Sequence, residues 1–438
     1  MQLKNYKMIK IKQRLKGFEI RKVLLMMLFF YLPFNNKITS ILTIFLFIYS
    51  FFDKNSEKSG LFKNKLVLGT LLLFFLHVVG LLYTSNFKYA GLDLEIKLPL
   101  LFLPIIFYFY RSWINLINIS KSFVLGCLIS TIIMLINSFY IYLITGEIRA
   151  FFYDNLALFM HTSYFSLYLC FCVILLMQYL ERFNNQKSLF TNRILVILII
   201  YFSFFILLLS SRSGMLILIL IYVVYIFYLL MKWRWKYLIF WILSFGISSF
   251  FIYDFSAVAL GRLESIKTQE YVNGEILQHD KNNKFGALNL TKPLDRINQQ
   301  DERLTLIEIS VYVIKKNFFL GVGTGDVKDE LIKGYKYYNF QAGFQKQYNC
   351  HNQYLQFFVA FGFVGFFVFI FSIWFVYLSR LKNNWTNLFF LLILSLSFLF
   401  ESILETKSGV EFFALFSSVF MAITINKKSK SSISLFLK

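Results

Sequence analysis

Residues 348–375 read YNCHNQYLQFFVAFGFVGFFVFIFSIWF. From Leu355 onward the stretch is almost wholly apolar and about as long as a bilayer is thick, so it reads as a membrane-crossing helix. Its head, Cys350-His351-Asn352-Gln353-Tyr354, is instead crowded with hydrogen-bonding groups. A span bound for hydrocarbon opens this way where its end lines a wet cavity inside a helix bundle.

The rest of the chain repeats the apolar pattern. It has 438 residues, 58% hydrophobic and 20% aromatic, with four prolines and a mean hydropathy of +0.62. A soluble fold cannot cover that much apolar surface. Candidate spans lie at about 23–35, 38–52, 65–83, 97–110, 121–144, 154–179, 193–210, 213–231, 236–254, 352–379, 386–402 and 408–425. The expected fold is an all-α polytopic membrane protein of about twelve transmembrane helices, with one large outer loop between the ninth and tenth. That divides the chain into an N-terminal bundle (1–254), an outer loop (255–351) and C-terminal helices (352–438).

Charge gives the orientation. With the N-terminus in the cytoplasm, the tails and inner loops hold 26 Lys and Arg. The short outer loops hold only Lys37, Lys88, Lys97, Arg149, Arg212 and Lys407. This is the positive-inside bias, and it puts both termini in the cytoplasm. The same bias accounts for the net charge of +22, so no nucleic-acid partner is expected. The basic N-terminus precedes an apolar stretch with no small-residue cleavage site, and reads as an uncleaved first helix. Three of the four cysteines lie in apolar runs, and Cys350 beside His351 lacks further ligands, so neither a disulfide framework nor a metal site is expected.

Within the outer loop, residues 273–303 are strongly polar. The following RLTLIEISVYVIKKNFFLGVGTGD carries apolar residues at 304, 307, 311, 314 and 318, which suits an amphipathic helix on the membrane. Residues 304–313 also alternate as a strand would. The glycines Gly321, Gly323 and Gly325, followed by Asp326, make a tight turn. It lacks the Lys-Ser/Thr of a phosphate-binding loop, and reads as a turn that sets Arg303 and His351 relative to each other.

Ionisable groups at span ends are the functional candidates. Arg212 sits between two apolar runs in LLLSSRSGMLILIL, Arg303 opens the amphipathic segment, and His351 opens the tenth span. Each has a plainer reading beside the functional one: an interfacial Arg reaching for head groups, a solvated first-turn Arg, a hydrogen-bonded structural His. Asn352 and Gln356 share a helical face beside Tyr354. Glu401 and Glu405, four apart at the outer end of the eleventh span, would share another and either pair with Arg212 or Arg303 or stay solvated. The spans read as nearly charge-free at mid-depth, which counts against a transporter or flippase.

Together these features resemble the O-antigen ligase and O-antigen polymerase superfamily. Four stretches carry the likeness: SSRSGML, RLTLIEISVYVIKKNFFLGVGTGD, HNQYLQFFVAFGFVG and ESILETKSGVEFFALF. HTSYFSLYL from His161 is similar to a further family feature. Ile307 stands where members often have an aromatic, and Gln353 where small or aliphatic residues also occur.

The resemblance implies a metal-independent, cofactor-free, inverting glycosyltransferase of the bacterial inner membrane, acting at its periplasmic face. Its donor would be an undecaprenyl-diphosphate-linked glycan, and its acceptor a glycolipid such as lipid A-core. A polymerase of the same superfamily is the alternative. On this likeness His351 is the general base, Arg212 and Arg303 hold the donor diphosphate, and Asn352, Tyr354, Glu405, Gly321 and Gly323 support them.

Overall fold

The computed structural model describes residues 20–34, 36–54, 56–183, 189–231, 246, 302–375 and 385–436. Among these, all regular structure is helical. The helices are α1 (Ile20–Tyr31), α2 (Asn36–Phe52), α3 (Lys65–Val79), α4 (Phe87–Phe109), α5 (Leu116–Thr145), α6 (Thr162–Phe183), α7 (Leu189–Leu208) and α8 (Arg212–Met231). After the undescribed stretch come α9 (Glu302–Lys316), α10 (Val327–Tyr337), α11 (Gln341–Lys346), α12 (Gln353–Ile370), α13 (Trp385–Phe400) and α14 (Lys407–Phe436).

Asparagine starts four of them. The side chains of Asn64, Asn86, Asn115 and Asn352 each accept a first-turn amide hydrogen, satisfying a donor the helix cannot. Six described segments are long and apolar enough to cross a membrane: Lys65–Tyr83, Leu116–Thr145, Thr162–Glu181, Arg212–Met231, Gln353–Ile373 and Lys407–Asn426. Asn36–Phe52, Asn192–Leu208 and Thr386–Phe400 are shorter apolar helices. The expected ninth span, 236–254, lies outside the described residues apart from Gly246.

The bundle is cemented by aromatic rings. Phe123, Phe171, Phe390, Phe412 and Phe416 meet edge-on or tilted at its centre, with Phe123 and Phe416 centroids 5.0 Å apart. The connections sort to two ends. At one, Asn36 donates to Ser408 (2.7 Å), Ser163 to Glu401 (3.3 Å), and the amides of Ser85 and Asn86 to Asp326 (2.6 and 2.7 Å). At the other, Arg21 pairs with Asp53 (3.1 Å), Arg111 with Glu57 (2.7 Å), and Tyr179 donates to the Ile117 carbonyl.

Three expectations change. The fourth helix starts at Phe87 rather than near 97, so Lys97 is not a loop flank but a fully buried residue of α4. With His77 and Asp93 it puts charge-bearing groups inside the bundle, where mutual pairing makes them tolerable. Segment 302–316 is a helix and not a strand, but it buries Thr305, Leu306, Ile309, Ser310, Val313 and Ile314. Leu304, Ile307 and Phe318 of the expected stripe stay exposed, because the smaller and branched face lets α9 approach α10 and α12 closely. Finally, Glu401 and Glu405 do not share a helical face. Helix α13 stops at Phe400, and a short connector with one tight turn (Ile403–Glu405) turns the two carboxylates apart.

Helix α12 is broken at Gly362, whose φ of 62° and ψ of −162° leave the helical region. The residues after α9 fill the break. The amides of Val322 and Gly323 donate to the carbonyls of Val359 and Ala360 (3.0 and 2.9 Å), and those of Phe363 and Val364 donate to Phe318 and Phe319 (2.7 and 3.3 Å). Backbone groups freed inside an apolar bundle must be satisfied by protein, and residues 318–323 do so.

Candidate active site

His351 precedes the capping residue Asn352 in a left-handed conformation, φ 43°. That is uncommon away from glycine and aims the ring back across the end of the bundle. Its Nδ1 lies 3.1 Å from Oε2 of Glu401, and its ring meets Tyr348 edge-on at 5.3 Å. A carboxylate only accepts, so this bond places a proton on Nδ1, and in the neutral imidazole the lone pair is then on Nε2.

Glu401 is the hub. Its other oxygen takes the Ser163 hydroxyl at 3.3 Å and lies 3.8 Å from Nη2 of Arg303, which projects from the first turn of α9. The Glu401 side chain is 12% exposed, against 52% for Arg303 and 31% for His351. One face of the cluster is therefore packed and the other open, with a guanidinium and an imidazole at its mouth.

Arg212 reaches the same end by another route. Ser210 ends α7 in a left-handed turn (φ 49°), and Ser211 accepts the Gly214 amide to start α8. A Cβ on Gly214 would lie 2.4 Å from that of Ser166, one turn along α6 from Ser163. Arg212 is exposed and, among the described residues, makes no hydrogen bond or ion pair.

The supporting residues divide. Asn352 caps α12 and donates to the Leu399 carbonyl (3.2 Å), so it ties the head of that helix to the end of α13. Tyr354 donates to the Ser395 carbonyl at 3.1 Å, a strut between the same helices. Gly321 and Gly323 sit in the segment that fills the α12 break, and their hydrogen bonds there are separate from the His351–Glu401 pair. His161 is exposed, its Nδ1 accepting from the Ser163 amide (3.4 Å). Cys350 is buried, and burial pushes its thiol up to about 12, so it stays protonated and inert as a ligand.

Glu405 belongs to a second cluster. Lys97, wholly buried, lies 2.9 Å from Asp93 and 3.4 Å from Glu405, and His77 lies 3.8 Å from Asp93. Burial pushes the Glu405 carboxyl up, and Lys97 pulls it back down. Gln353 bonds this cluster twice, to Glu405 (3.5 Å) and from the Leu404 amide (2.5 Å).

Sequence reasoning missed the His351–Glu401 bond, Ser163 and the Lys97 cluster. Only the last left a local signal, the Asp93-to-Lys97 spacing of four within one helix.

Residues 194–370 match the family model described as O-antigen ligase. The match covers less than half of the chain and shows that this region is similar to the O-antigen ligase superfamily. The matched region holds Arg212, Arg303, His351 and both glycines, and ends before Glu401. The likeness of this region points to glycosyl transfer with lipid-linked glycans in general, O-antigen ligase-like or polymerase-like. With the apolar helices it makes this a multi-pass membrane protein. No curated protein matches the chain.

Proposed function

We propose that this O-antigen ligase-like protein moves a glycan from an undecaprenyl-diphosphate-linked donor to an acceptor hydroxyl of a glycolipid such as lipid A-core. The observation that carries the reading is the convergence of His351, Glu401 and Arg303 at the end of the bundle where Arg212 also opens its helix. On the charge count that end is the outer one and both termini are cytoplasmic. The family likeness supports the bacterial inner membrane as the membrane and the periplasm as its outer side.

The chemistry follows from the groups. Nε2 of His351 takes the proton of the acceptor hydroxyl as its oxygen attacks the anomeric carbon. The bond from that carbon to the diphosphate oxygen breaks, and the lipid diphosphate departs with its electron pair. Arg303 and Arg212 hold it by bidentate, charge-assisted bonds, which stabilise the charge that develops. Glu401 fixes the imidazole tautomer and stabilises the imidazolium. A single displacement inverts the anomeric centre, and no step calls for a metal or cofactor.

The test is His351→Ala with an undecaprenyl-diphosphate-linked glycan as donor. Donor binding should survive while transfer falls by about 10²- to 10⁴-fold. Full activity of that variant, or abolition of wild-type turnover by EDTA, would overturn the mechanism. In cells, loss of all polymer from the lipid core on deletion supports a ligase. Capping by single repeats points to the polymerase alternative.

A further inference from the structure

The connector between α13 and α14 carries Glu401 at its start and Glu405 at its end, and it sinks into the bundle, with Ser402, Ile403 and Leu404 all buried. Two side chains hold it that, among the described residues, make no hydrogen bond or ion pair to His351 or Glu401. Lys97 of α4 grips Glu405, and is itself held by Asp93 one turn earlier. Gln353, fully buried two residues beyond His351, accepts the Leu404 amide and donates to Glu405. The head of α12 and the connector are thus bolted together through Gln353, and the connector is bolted to α4 through Lys97.

We infer that Lys97 and Gln353 are positioning residues that set the approach of Glu401 to His351 by fixing the connector. The inference rests on the His–Glu reading of the proposed function. Without the Lys97 cation, Asp93 and Glu405 are two half-buried carboxylates facing each other, and the connector retreats toward water. Without the Gln353 amide, Leu404 loses its acceptor and the α12 head is free to shift along the connector.

The experiment is a double-mutant cycle on the full chain in proteoliposomes. It follows single-turnover transfer from an undecaprenyl-diphosphate-linked glycan. Lys97→Met and Gln353→Leu should each slow transfer at least about tenfold in the otherwise wild-type protein, with donor KM within about twofold. In a Glu401→Gln background each should cost less than about twofold, because the contact they position is already gone. Equal factors in both backgrounds would make them ordinary packing residues and overturn the inference, as would an unchanged rate in the wild-type background. If Lys97→Met does not fold, Gln353→Leu, which strands no charge, decides alone. Wild-type rates for both Glu401→Gln and His351→Ala would sink the function reading and this inference with it. Slow single variants with additive effects sink this inference alone.

Discussion

Gly321 and Gly362 approach so closely that a Cβ built on either lies 2.5 Å from the backbone nitrogen of the other. Both also have positive φ, 71° and 62°. Two segments 41 positions apart in sequence are therefore fitted backbone to backbone, with no room for a methyl group between them.

Gly321→Ala and Gly362→Ala should each destabilise the protein by about 2–5 kcal/mol, combining the left-handed cost with overpacking. Gly146→Ala is the control, because that glycine has φ 69° but open space around its Cβ position. It should cost only the conformational part, about 1–2 kcal/mol. Thermal unfolding in detergent measures all three. Equal losses would show that the close approach contributes nothing.

Glu401→Gln should leave donor binding intact and lower transfer by about 10²-fold or more, since an amide can present its NH₂ to Nδ1 and favour the wrong tautomer. Glu401→Asp should recover part of the rate. Measured kcat and donor KM for the two variants check this, and a rise in KM alone would move Glu401 out of the proton-transfer step.

The pair between Arg303 and Glu401 is long and half-exposed on the Arg side. Arg303→Ala should therefore change stability by no more than about 1 kcal/mol while weakening donor binding and transfer together. Arg303→Lys and Arg212→Lys should restore little, since a point charge does not reproduce the guanidinium fork. A melting shift in proportion to the activity loss would make Arg303 a structural residue.

His351, Arg303 and Arg212 stand out in the sequence because each is a polar group at the edge of a hydrophobic pattern, and such edges are local features of sequence. The bond from His351 to Glu401 does not, because it spans 50 residues and depends on α13 stopping at Phe400. Lys97 was misplaced for a related reason. Hydropathy sees the apolar run from 97 onward, whereas the helix continues back through Asp93, whose carboxylate pairs with that lysine. The turn at Gly321 was visible, but not the break it fills, since Gly362 sits in a run that reads as unbroken helix.

Cys350 should stay unlabelled by iodoacetamide at pH 8 in the folded protein and react once it is unfolded. Its thiol ordinarily titrates near 9, and burial raises it to about 12, so the thiolate is scarce across that range. Rapid labelling of the native protein would put Cys350 on the wet side of the site.

The orientation has its own check. Cysteines introduced at Asn185 and Lys428 should be shielded from impermeant thiol reagents added outside cells, and one at Asn283 should label. Labelling at Asn185 would reverse the topology and carry His351 to the opposite face.

Asp326 accepts the amides of Ser85 and Asn86, and Thr324 donates to the His77 carbonyl, across sequence gaps of 240 to 247 residues. During synthesis, the turn that joins α3 to α4 leaves the ribosome long before its partner exists. Its two amides stay open until translation has passed Asp326, while the helices on either side are already in the membrane. The hairpin is thus finished by a late-arriving piece of the same chain. A nascent chain halted earlier carries an unclosed turn at that end of the bundle, with the Ser85 and Asn86 amides left to water.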